Sequence, residues 1–359
     1  MDPKGLFDYA RETDTILIFN GNENSVDKTF FYLTEVRSGI FEGSTLIVKP
    51  DGLKILTSKL EEQSARESGH EVIVVNSSSD FEEKLKQELK ETDVIGLNYS
   101  SLTLENYTRI LRIIPEKRFV DVSASIEECR RIKHPSEIKK LKEAARIASE
   151  AFPIFIEKLK EGMTERELAA EVEYEMMKLG ASGASFSTIV AFGKNASMPH
   201  YSPGNTKLKK GDFVLVDYGA LYERYCSDTT RTVIFGRGSA KQKEMYEIVK
   251  NAQEESIKAI RENVNGKDVD AVARKIIDSS PYRGKFIHGL GHGLGMDVHD
   301  HPALGTSLDI PLKENMVITD EPGVYDPEIG GVRIEDDLIV KKNGSERITT
   351  STREYMEIS

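Results

Sequence analysis

A stretch of alternating histidines and glycines holds the densest group of catalytic residue types in the sequence. Residues 288–302 read HGLGHGLGMDVHDHP and contain four of the chain's seven histidines, His288, His292, His299 and His301. Imidazole can bind a metal ion, move a proton or hydrogen-bond a developing charge near neutral pH. A dinucleotide loop would need G-x-G-x-x-G, and the spacing here is G-x-G-x-G-x-G. The glycines also disfavour the helix that an H-E-x-x-H zinc site requires.

An extended backbone accounts for this spacing better. In a strand, His288 and His292 would point to the same face, and alternate glycines would let a ligand or another backbone approach closely. A lone histidine is usually structural, whereas several in one short segment favour a functional site. The segment is therefore predicted to form one side of an active site.

Two aspartates in the same half of the chain are predicted to meet across a hairpin. Asp217 ends the apolar run FVLV in DFVLVDYGA, and Asp228 follows in SDTTRT. A turn near Tyr222 and Glu223 would make the two strands antiparallel and bring both carboxylates together. Two neighbouring carboxylates repel each other unless they share a proton or a cation.

Two glutamates occur in comparable settings. Glu321 ends the apolar strand MVIT, and Glu335 is predicted to lie within a strand in VRIED, on the same face as Arg333. Arg333 could then hold a neighbouring carboxylate by hydrogen bonds. Four carboxylates and one imidazole suit divalent cations such as Mn²⁺, Co²⁺ or Zn²⁺, and bridging carboxylates can hold two ions about 3.5 to 4 Å apart. Each acid alone would be read as a strand-end or surface residue.

The first third of the sequence is predicted to form an α/β domain at residues 1–126. Apolar runs begin near positions 15, 44, 70, 92 and 117, and amphipathic stretches separate some of them. One such stretch is DFEEKLKQELKE, whose helix Asp80 could cap. This alternation of strands and helices is typical of a layered α/β fold, and the domain carries no obvious catalytic group.

Residues 127–359 are predicted to form an α+β domain with an antiparallel sheet. Pro135 suits the first turn of a long helix, and Thr164 with Glu167 has the spacing of a capping box. Strand patterns follow from residue 187 onward, and the helical segments 240–262 and 269–280 interrupt them. Such segregated strands and helices favour an α+β class.

Composition limits the classes of partner. The net charge of the 359-residue chain is -11, which argues against nucleic acid and gives no reason to expect an anionic membrane. The sequence has no signal-peptide pattern and no apolar run of about 18 residues. Cys129 and Cys226 are too few for a disulfide framework. A cytoplasmic protein acting on small molecules or peptides is expected.

Five ordered segments carry a family resemblance. VDYGA, SDTTRT, HGLGHGLGMDVHDHP, EPGVY and VRIED resemble the ligand segments of the pita-bread metallopeptidases, the family of methionine aminopeptidase, aminopeptidase P and prolidase. The resemblance spans roughly residues 127–359 and implies the pita-bread fold there. The implied metal ligands are Asp217, Asp228, His292, Glu321 and Glu335, with Asp228 and Glu335 bridging two ions.

The resemblance also implies roles for neighbouring side chains. Glu321 would take up the proton of the attacking water, while His200 and His299 would stabilise the developing charge. His288 resembles a histidine that lines the cleft of proline-specific members, and Arg333 is placed with it among the substrate-binding residues. A hydroxide bridging two divalent ions is expected, with Mn²⁺ or Co²⁺ preferred and Zn²⁺ or Fe²⁺ as alternatives.

The front domain narrows the resemblance to prolidases, aminopeptidases P and creatinases, because methionine aminopeptidases generally lack it. Creatinases lack the metal ligands, so a homodimeric enzyme that hydrolyses Xaa-Pro dipeptides is the expectation. Several prolidases carry an arginine after an HE-x-P segment, and this chain has Asp300 and Ala303 in HDHPA. The departure keeps open an aminopeptidase P acting on longer peptides. A non-catalytic binding protein on the same fold is the other alternative.

Overall fold

The computed structural model describes residues 4–307 and 309–359 and divides into two compact units, residues 1–130 and 131–359. The boundary predicted from the sequence falls between residues 126 and 127. The predicted boundary and the observed boundary after residue 130 both lie within the helix Ser123–Arg131. Within the described residues, no helix is long and apolar enough to span a membrane.

The first unit is a mixed sheet of six strands in the order β4-β3-β2-β1-β5-β6, with helices connecting several of them. Its strands are β1 (Ile16–Phe19), β2 (Thr45–Lys49), β3 (Gly52–Ser58), β4 (Glu71–Val75), β5 (Val94–Leu97) and β6 (Arg118–Asp121). Its helices are α1 (Lys4–Phe7), α2 (Lys28–Thr34), α3 (Glu62–Glu67), α4 (Ser78–Glu88), α5 (Leu104–Ile113) and α6 (Ser123–Arg131), with a 3-10 turn at Glu23–Ser25. β1, β2 and β3 are antiparallel neighbours, whereas β3–β4, β1–β5 and β5–β6 pair in parallel.

The α/β class of this unit is confirmed, one strand was missed, and one capping prediction was wrong. The strand β3 was not predicted, because its LKIL run follows β2 after only two residues and lacks a separating helix. The helix α4 is capped by Ser77, whose hydroxyl accepts from the N–H of Asp80. Asp80 therefore lies inside the first turn, where it accepts from the N–H of Asn76 instead.

The second unit begins with two long helices and continues mainly with short strands. Its helices are α7 (Pro135–Ile156), α8 (Glu165–Lys178), α9 (Ala240–Ala259) and α10 (Gly266–Asp278), with a 3-10 turn at Gly193–Ser197. Its first strands are β7 (Gly183–Ala184), β8 (Ile189–Phe192), β9 (Phe213–Tyr218), β10 (Ala220–Tyr222), β11 (Tyr225–Cys226) and β12 (Thr229–Phe235). Its later strands are β13 (Gly291–Gly293), β14 (Asp300–Leu304), β15 (Val317–Asp320), β16 (Gly323–Asp326), β17 (Gly330–Arg333), β18 (Asp336–Lys341), β19 (Gly344–Arg347) and β20 (Glu357–Ile358).

Two sheets form the frame of this unit, as the predicted α+β class requires. One has four strands in the order β20-β12-β9-β8, and the other has five in the order β14-β13-β15-β18-β19. All pairings in them are antiparallel except that of β12 with β20. The predicted helix start at Pro135 and the capping box of Thr164 and Glu167 are both present.

The strand β9 is buried on both faces, which explains its unbroken apolar run. Val214 and Val216 pack in a cluster with α7 and α8, whereas Phe213 and Leu215 pack in a second cluster with α9 and α10. That second cluster also contains Ile318 and other side chains of the five-stranded sheet. Because alternate residues share a face, the residue after Val216 points toward the side where the two sheets meet.

Candidate metal centre

The two aspartates enter the site from one antiparallel strand pair. Asp217 lies directly opposite Thr230 in the pairing of β9 with β12, and Asp228 comes two residues before Thr230 on the same face. The intervening hairpin turns at Glu223 and Arg224, whose φ values of 44° and 71° suit a two-residue turn. Asp217 and Asp228 line the same cavity, as the hairpin predicted.

The two glutamates lie next to strands of the C-terminal part of the unit, between β15 and β18. Glu321 directly follows β15, as predicted, and its N–H donates to Leu290 O at 2.8 Å. Glu335 does not lie within a strand, because the chain leaves the β16–β17 hairpin before it and enters the five-stranded sheet after it. Its N–H donates to Thr230 O at 3.1 Å, which ties the glutamate to the strand that follows Asp228.

The histidine segment is only partly extended. The strand β13 covers Gly291–Gly293, so His292 lies in a strand and His288 lies before it, contrary to the predicted continuous strand. A Cβ atom at Gly291 would lie 2.2 Å from Thr319 O, and one at Gly293 would lie 2.4 Å from His301 O. These two glycines are required because β15 and β14 approach β13 closely on either side.

Four of the sequence-predicted metal ligands lie close together. One ligand atom from each of Asp228, His292 and Glu335 lies within 4.8 Å of the others. His292 Nε2 is 3.5 Å from Asp228 Oδ2 and 3.5 Å from Glu321 Oε1. These four residues and Asp217 line a cavity of about 540 Å³.

The protonation state of His292 indicates that a cation belongs between these groups. Its Nδ1 lies 3.0 Å from Gly293 O, and because a carbonyl can only accept, Nδ1 carries the hydrogen. Burial lowers the pKa of His292 to about 4, so the ring is neutral and Nε2 presents a lone pair. Nε2 lies 3.5 Å from an oxygen of Asp228 and 3.5 Å from an oxygen of Glu321, which is too far for a strong hydrogen bond. The arrangement fits a metal ion better than a hydrogen bond.

The carboxylates point to the same conclusion. Burial raises the pKa of Asp228 and of Glu335 well above the usual range, and the neighbouring carboxylates raise both further. Burial also raises the pKa of Glu321 to about 8, against the opposing effect of Arg333. Asp217 Oδ1 is buried without a hydrogen-bond partner in the described chain. Divalent ions would neutralise this group of charges, so the residues present fit a metal centre.

Arg333 lines the cavity, but its guanidinium is engaged by protein groups. It donates to Asp217 Oδ2 at 2.6 Å, to Thr230 Oγ1 at 2.9 Å and to Tyr325 OH at 2.9 Å. Since the guanidinium can only donate, the single Thr230 hydroxyl proton is directed to Glu335 Oε2, 2.6 Å away. Arg333 thus links two of the predicted ligands, one directly and one through Thr230. Neither Thr230 nor Tyr325 was predicted from the sequence.

The three other predicted histidines line the cavity in different ways. His288 Nδ1 donates to Gly289 O at 2.8 Å, which leaves Nε2 to accept from Tyr325 OH at 2.8 Å. Burial, aided by the charge of Arg333, lowers the pKa of His288 to about 4. The ring nitrogens of His200 and His299 make no hydrogen bond to any residue that the structure describes. His200 and His299 therefore have donors available for a bound ligand.

The remaining wall of the cavity is mainly apolar, and its outer part carries small residues. The apolar side chains are Phe186, Ile189, Pro199, Val298 and Leu304, and the small residues are Ala303, Gly305, Thr306 and Ser307. Among the described residues that line the cavity, Arg333 is the only lysine or arginine. His301 is exposed and is not part of this lining.

Comparisons with known proteins agree with this geometry. The profile of metallopeptidase family M24 matches residues 139–342, and that of the creatinase/prolidase N-terminal domain matches residues 10–132. An Xaa-Pro dipeptidase of Pyrococcus furiosus is 37% identical over 345 residues, which cover 93% of this chain and 97% of the relative.

Solved structures resemble the chain over nearly its whole length. An Xaa-Pro dipeptidase from Bacillus anthracis has a TM-score of 0.91 at 34% identity and covers 99% of both chains. An X-Pro aminopeptidase from Thermotoga maritima also has a TM-score of 0.91, at 35% identity, covering 97% of this chain and 98% of its own.

Proposed function

The chain belongs to metallopeptidase family M24, and we propose that it is a metal-dependent peptidase that hydrolyses the Xaa-Pro bond of dipeptides. The observation that carries the proposal is the placement of the neutral His292 opposite Asp228 and Glu321, beside a cavity large enough for a small peptide. The Xaa-Pro dipeptidases named above support the choice of substrate.

The five converging residues are the ligands of this proposal. Asp217, Asp228, His292, Glu321 and Glu335 would hold two divalent ions, with Asp228 and Glu335 as the ligands shared between them. Mn²⁺ or Co²⁺ is preferred, with Zn²⁺ or Fe²⁺ as alternatives, because a set of mostly oxygen ligands with one imidazole accepts several first-row ions. When bound, the ions supply an activated water and polarise the substrate carbonyl.

Three side chains then handle protons and charge. Glu321 takes up the proton of the attacking water and passes it toward the nitrogen of the leaving proline. His299 and His200 donate hydrogen bonds to the oxygen on which negative charge develops, since their ring nitrogens have no competing partner in the described protein. The edge-to-face contact between the rings of His299 and His292, 4.4 Å apart, keeps this donor beside the metal centre.

Selection for proline follows from what its nitrogen lacks. An Xaa-Pro bond has no N–H, so a site that used that donor would reject it. The apolar wall that includes Phe186, Ile189 and Leu304 offers the pyrrolidine ring contact without requiring a donor. His288 and Arg333 complete the substrate side of the cavity, with His288 contributing its ring and Arg333 mainly the placement of Asp217.

One observation favours a second substrate class. Ala303 lines the cavity at the position where several prolidases carry an arginine, and the guanidinium of Arg333 is already occupied by protein groups. No other lysine or arginine lines the described cavity, so the carboxylate of a dipeptide gains no ion pair there. Longer peptides with proline in the second position, the substrates of an aminopeptidase P, are therefore the alternative.

The remaining assignments extend the same proposal. Residues 1–126 are assigned to the creatinase-like N-terminal domain and residues 127–359 to the catalytic domain, although the compact units divide after residue 130, and the protein acts as a cytoplasmic homodimer. A non-catalytic binding protein is disfavoured because all five proposed ligands are present in the chain and line one cavity. Purified protein would be assayed on Ala-Pro, Met-Pro and Ala-Pro-Ala before and after chelation, together with metal analysis.

We expect about two divalent ions per chain and chelator-sensitive cleavage of the dipeptides. Cleavage of Ala-Pro-Ala at a rate comparable to Ala-Pro would move the assignment to an aminopeptidase P. The absence of both bound metal and chelator-sensitive hydrolysis would contradict the peptidase function altogether.

A further inference from the structure

A buried carboxylate outside the cavity contacts the main chain of one metal-binding residue. Asp337 Oδ2 accepts a hydrogen bond from the backbone N–H of Asp228 at 3.1 Å. We propose that Asp337 is a positioning residue that fixes the main chain of Asp228, so that the Asp228 carboxylate meets His292 and Glu335 at the metal centre. The inference rests on the metal dependence of the proposed function.

The backbone N–H of Asp228 needs an acceptor that its own sheet does not supply. Its neighbour Ser227 donates its N–H to Ala220 O at 3.0 Å, toward the β10 side of the chain. Successive N–H groups of an extended segment point to opposite sides, so that of Asp228 points away from β10. On that side β20 pairs with β12 only at Ile234 and Phe235, at the far end of the strand.

Asp337 is well placed to be that acceptor, because both hydrogen-bonding groups of its own backbone are held by the neighbouring segment. Its N–H donates to Thr349 Oγ1 at 2.9 Å, and its carbonyl accepts from the N–H of Ile348 at 2.9 Å. The side chain has no exposed surface and is short, so few rotamers are open to it. Through its hydrogen bond, the Asp337 carboxylate therefore holds the main chain of Asp228 at a fixed position relative to β18.

The contact also sets two ligands relative to each other. Glu335, two residues before Asp337, donates its N–H to Thr230 O at 3.1 Å, two residues after Asp228. These two hydrogen bonds join the beginning of β12 to the beginning of β18 at neighbouring positions. The separation of the Asp228 and Glu335 carboxylates, on which the proposed metal site depends, is thus set by both bonds.

A contribution to the stability of the fold does not explain why a carboxylate is buried at Asp337. Asp337 Oδ1 is buried and has no hydrogen-bond partner among the residues that the structure describes. A buried carboxylate oxygen without a partner is unfavourable for folding. The hydrogen bond to Asp228 is the one that the Asp337 side chain makes within the described residues, which points to a positioning role for this side chain.

The test compares variants that keep or remove the acceptor. Asp337→Asn retains a carbonyl oxygen for the Asp228 N–H, whereas Asp337→Leu removes it while keeping the same branched shape. Ser149→Ala is the matched control, because buried Ser149 Oγ accepts from the backbone N–H of Thr350 at 2.9 Å without contacting any proposed ligand. Metal-free protein is titrated with Co²⁺ by calorimetry and visible absorption, and thermal unfolding is measured without metal.

We expect Asp337→Leu to weaken Co²⁺ binding by about 10- to 100-fold and to change the absorption of the bound ion. Asp337→Asn should bind Co²⁺ like the unmodified protein, and Ser149→Ala should lose thermal stability while keeping its Co²⁺ affinity. If Asp337→Leu does not fold, Asp337→Ser, whose shorter side chain cannot reach Asp228, should show the same loss.

Unchanged Co²⁺ affinity in the folded variant that lacks the acceptor would overturn the inference, as would an equal loss in Asp337→Asn. Co²⁺ binding by an unmodified protein that cleaves no Xaa-Pro peptide would contradict the proposed function and leave the positioning role supported. An unmodified protein that binds no Co²⁺ would overturn both.

Discussion

Arg333 donates to one oxygen of Asp217 at 2.6 Å, while the other oxygen of the same carboxylate is buried without a hydrogen-bond partner in the described residues. The guanidinium therefore orients the carboxylate and leaves one oxygen available to a cation. It also provides positive charge beside a group of acids that includes Glu321 and Glu335. The balance of charge at the site depends on whether metal is present.

The first prediction concerns this balance. In Arg333→Met the metal-free protein should lose about 3 to 5 kcal/mol in the free energy of unfolding, because a buried carboxylate loses its partner. With Mn²⁺ bound the loss should be smaller, since the ions then compensate the acids. Denaturant unfolding with and without Mn²⁺ measures both. Lys267→Met, which removes a half-exposed ion pair with Asp309, should change either value by at most about 1 kcal/mol.

The second prediction concerns proton transfer. Glu321→Gln preserves the size of the side chain but cannot take up a proton from water, so turnover of Ala-Pro should fall by a factor of about 100 to 10,000. The circular dichroism spectrum should be unchanged. The same substitution at the exposed Glu314 should leave turnover intact. Comparable turnover in Glu321→Gln and Glu314→Gln would exclude Glu321 as the general base.

The third prediction concerns pH. Burial raises the pKa of Glu321 to about 8, so its contribution to the stability of the metal-free fold is complete below about pH 4.5 and is lost as the pH rises through 8. Burial lowers the pKa of His288 and His292 to about 4, and their contribution is complete above pH 6.5 and is lost as the pH falls. Of these three groups, only Glu321 changes its contribution between pH 6.5 and 8.

In that window the melting temperature of metal-free protein should decline with rising pH, while that of Mn²⁺-loaded protein should decline less. Thermal unfolding in chelator and in Mn²⁺ at several pH values from 6.5 to 8 measures the difference. Parallel curves would show that the buried carboxyl groups do not destabilise the metal-free protein.

The fourth prediction concerns the carboxylate of the substrate. Ala303→Arg places a guanidinium at the wall of the cavity, where a charge-assisted hydrogen bond to a dipeptide's carboxylate is worth about 1.5 to 3 kcal/mol. kcat/KM for Ala-Pro should then rise by about tenfold or more relative to its C-terminal amide. Ala303→Gln, long but neutral, should leave that ratio unchanged. An equal rise for the amide would mean that the arginine contacts another part of the substrate.

The acidic residues at strand ends could be predicted because each follows an apolar run that must be buried. Asp217 follows a run that must be covered on both faces, and a carboxylate in that place needs a cation. The same reasoning located Glu321. It was wrong in detail for Glu335, because the chain changes from a hairpin to a sheet at that residue and no periodicity in the sequence marks the change.

Residues that position the predicted ligands by hydrogen bonds could not be predicted from the sequence. Thr230 and Asp337 have ordinary strand positions in the sequence, and their importance comes from contacts with residues about one hundred positions away. The unpredicted strand β3 has a local cause, since it follows β2 after a turn of two residues without a helical stretch. Sequence periodicity reports burial, whereas these features depend on tertiary neighbours.

The proposed ligands come from both sheets of the second unit: Asp217 and Asp228 from the region of β9 and β12, and the others from the five-stranded sheet and its edges. Ions bound between them would join the sheets, and the unfolded chain would not hold those ions. A hundredfold excess of metal over its dissociation constant would stabilise the folded protein by about 2.7 kcal/mol. A cell short of metal would then lose the protein itself to proteolysis, so metal supply would govern its abundance as well as its turnover.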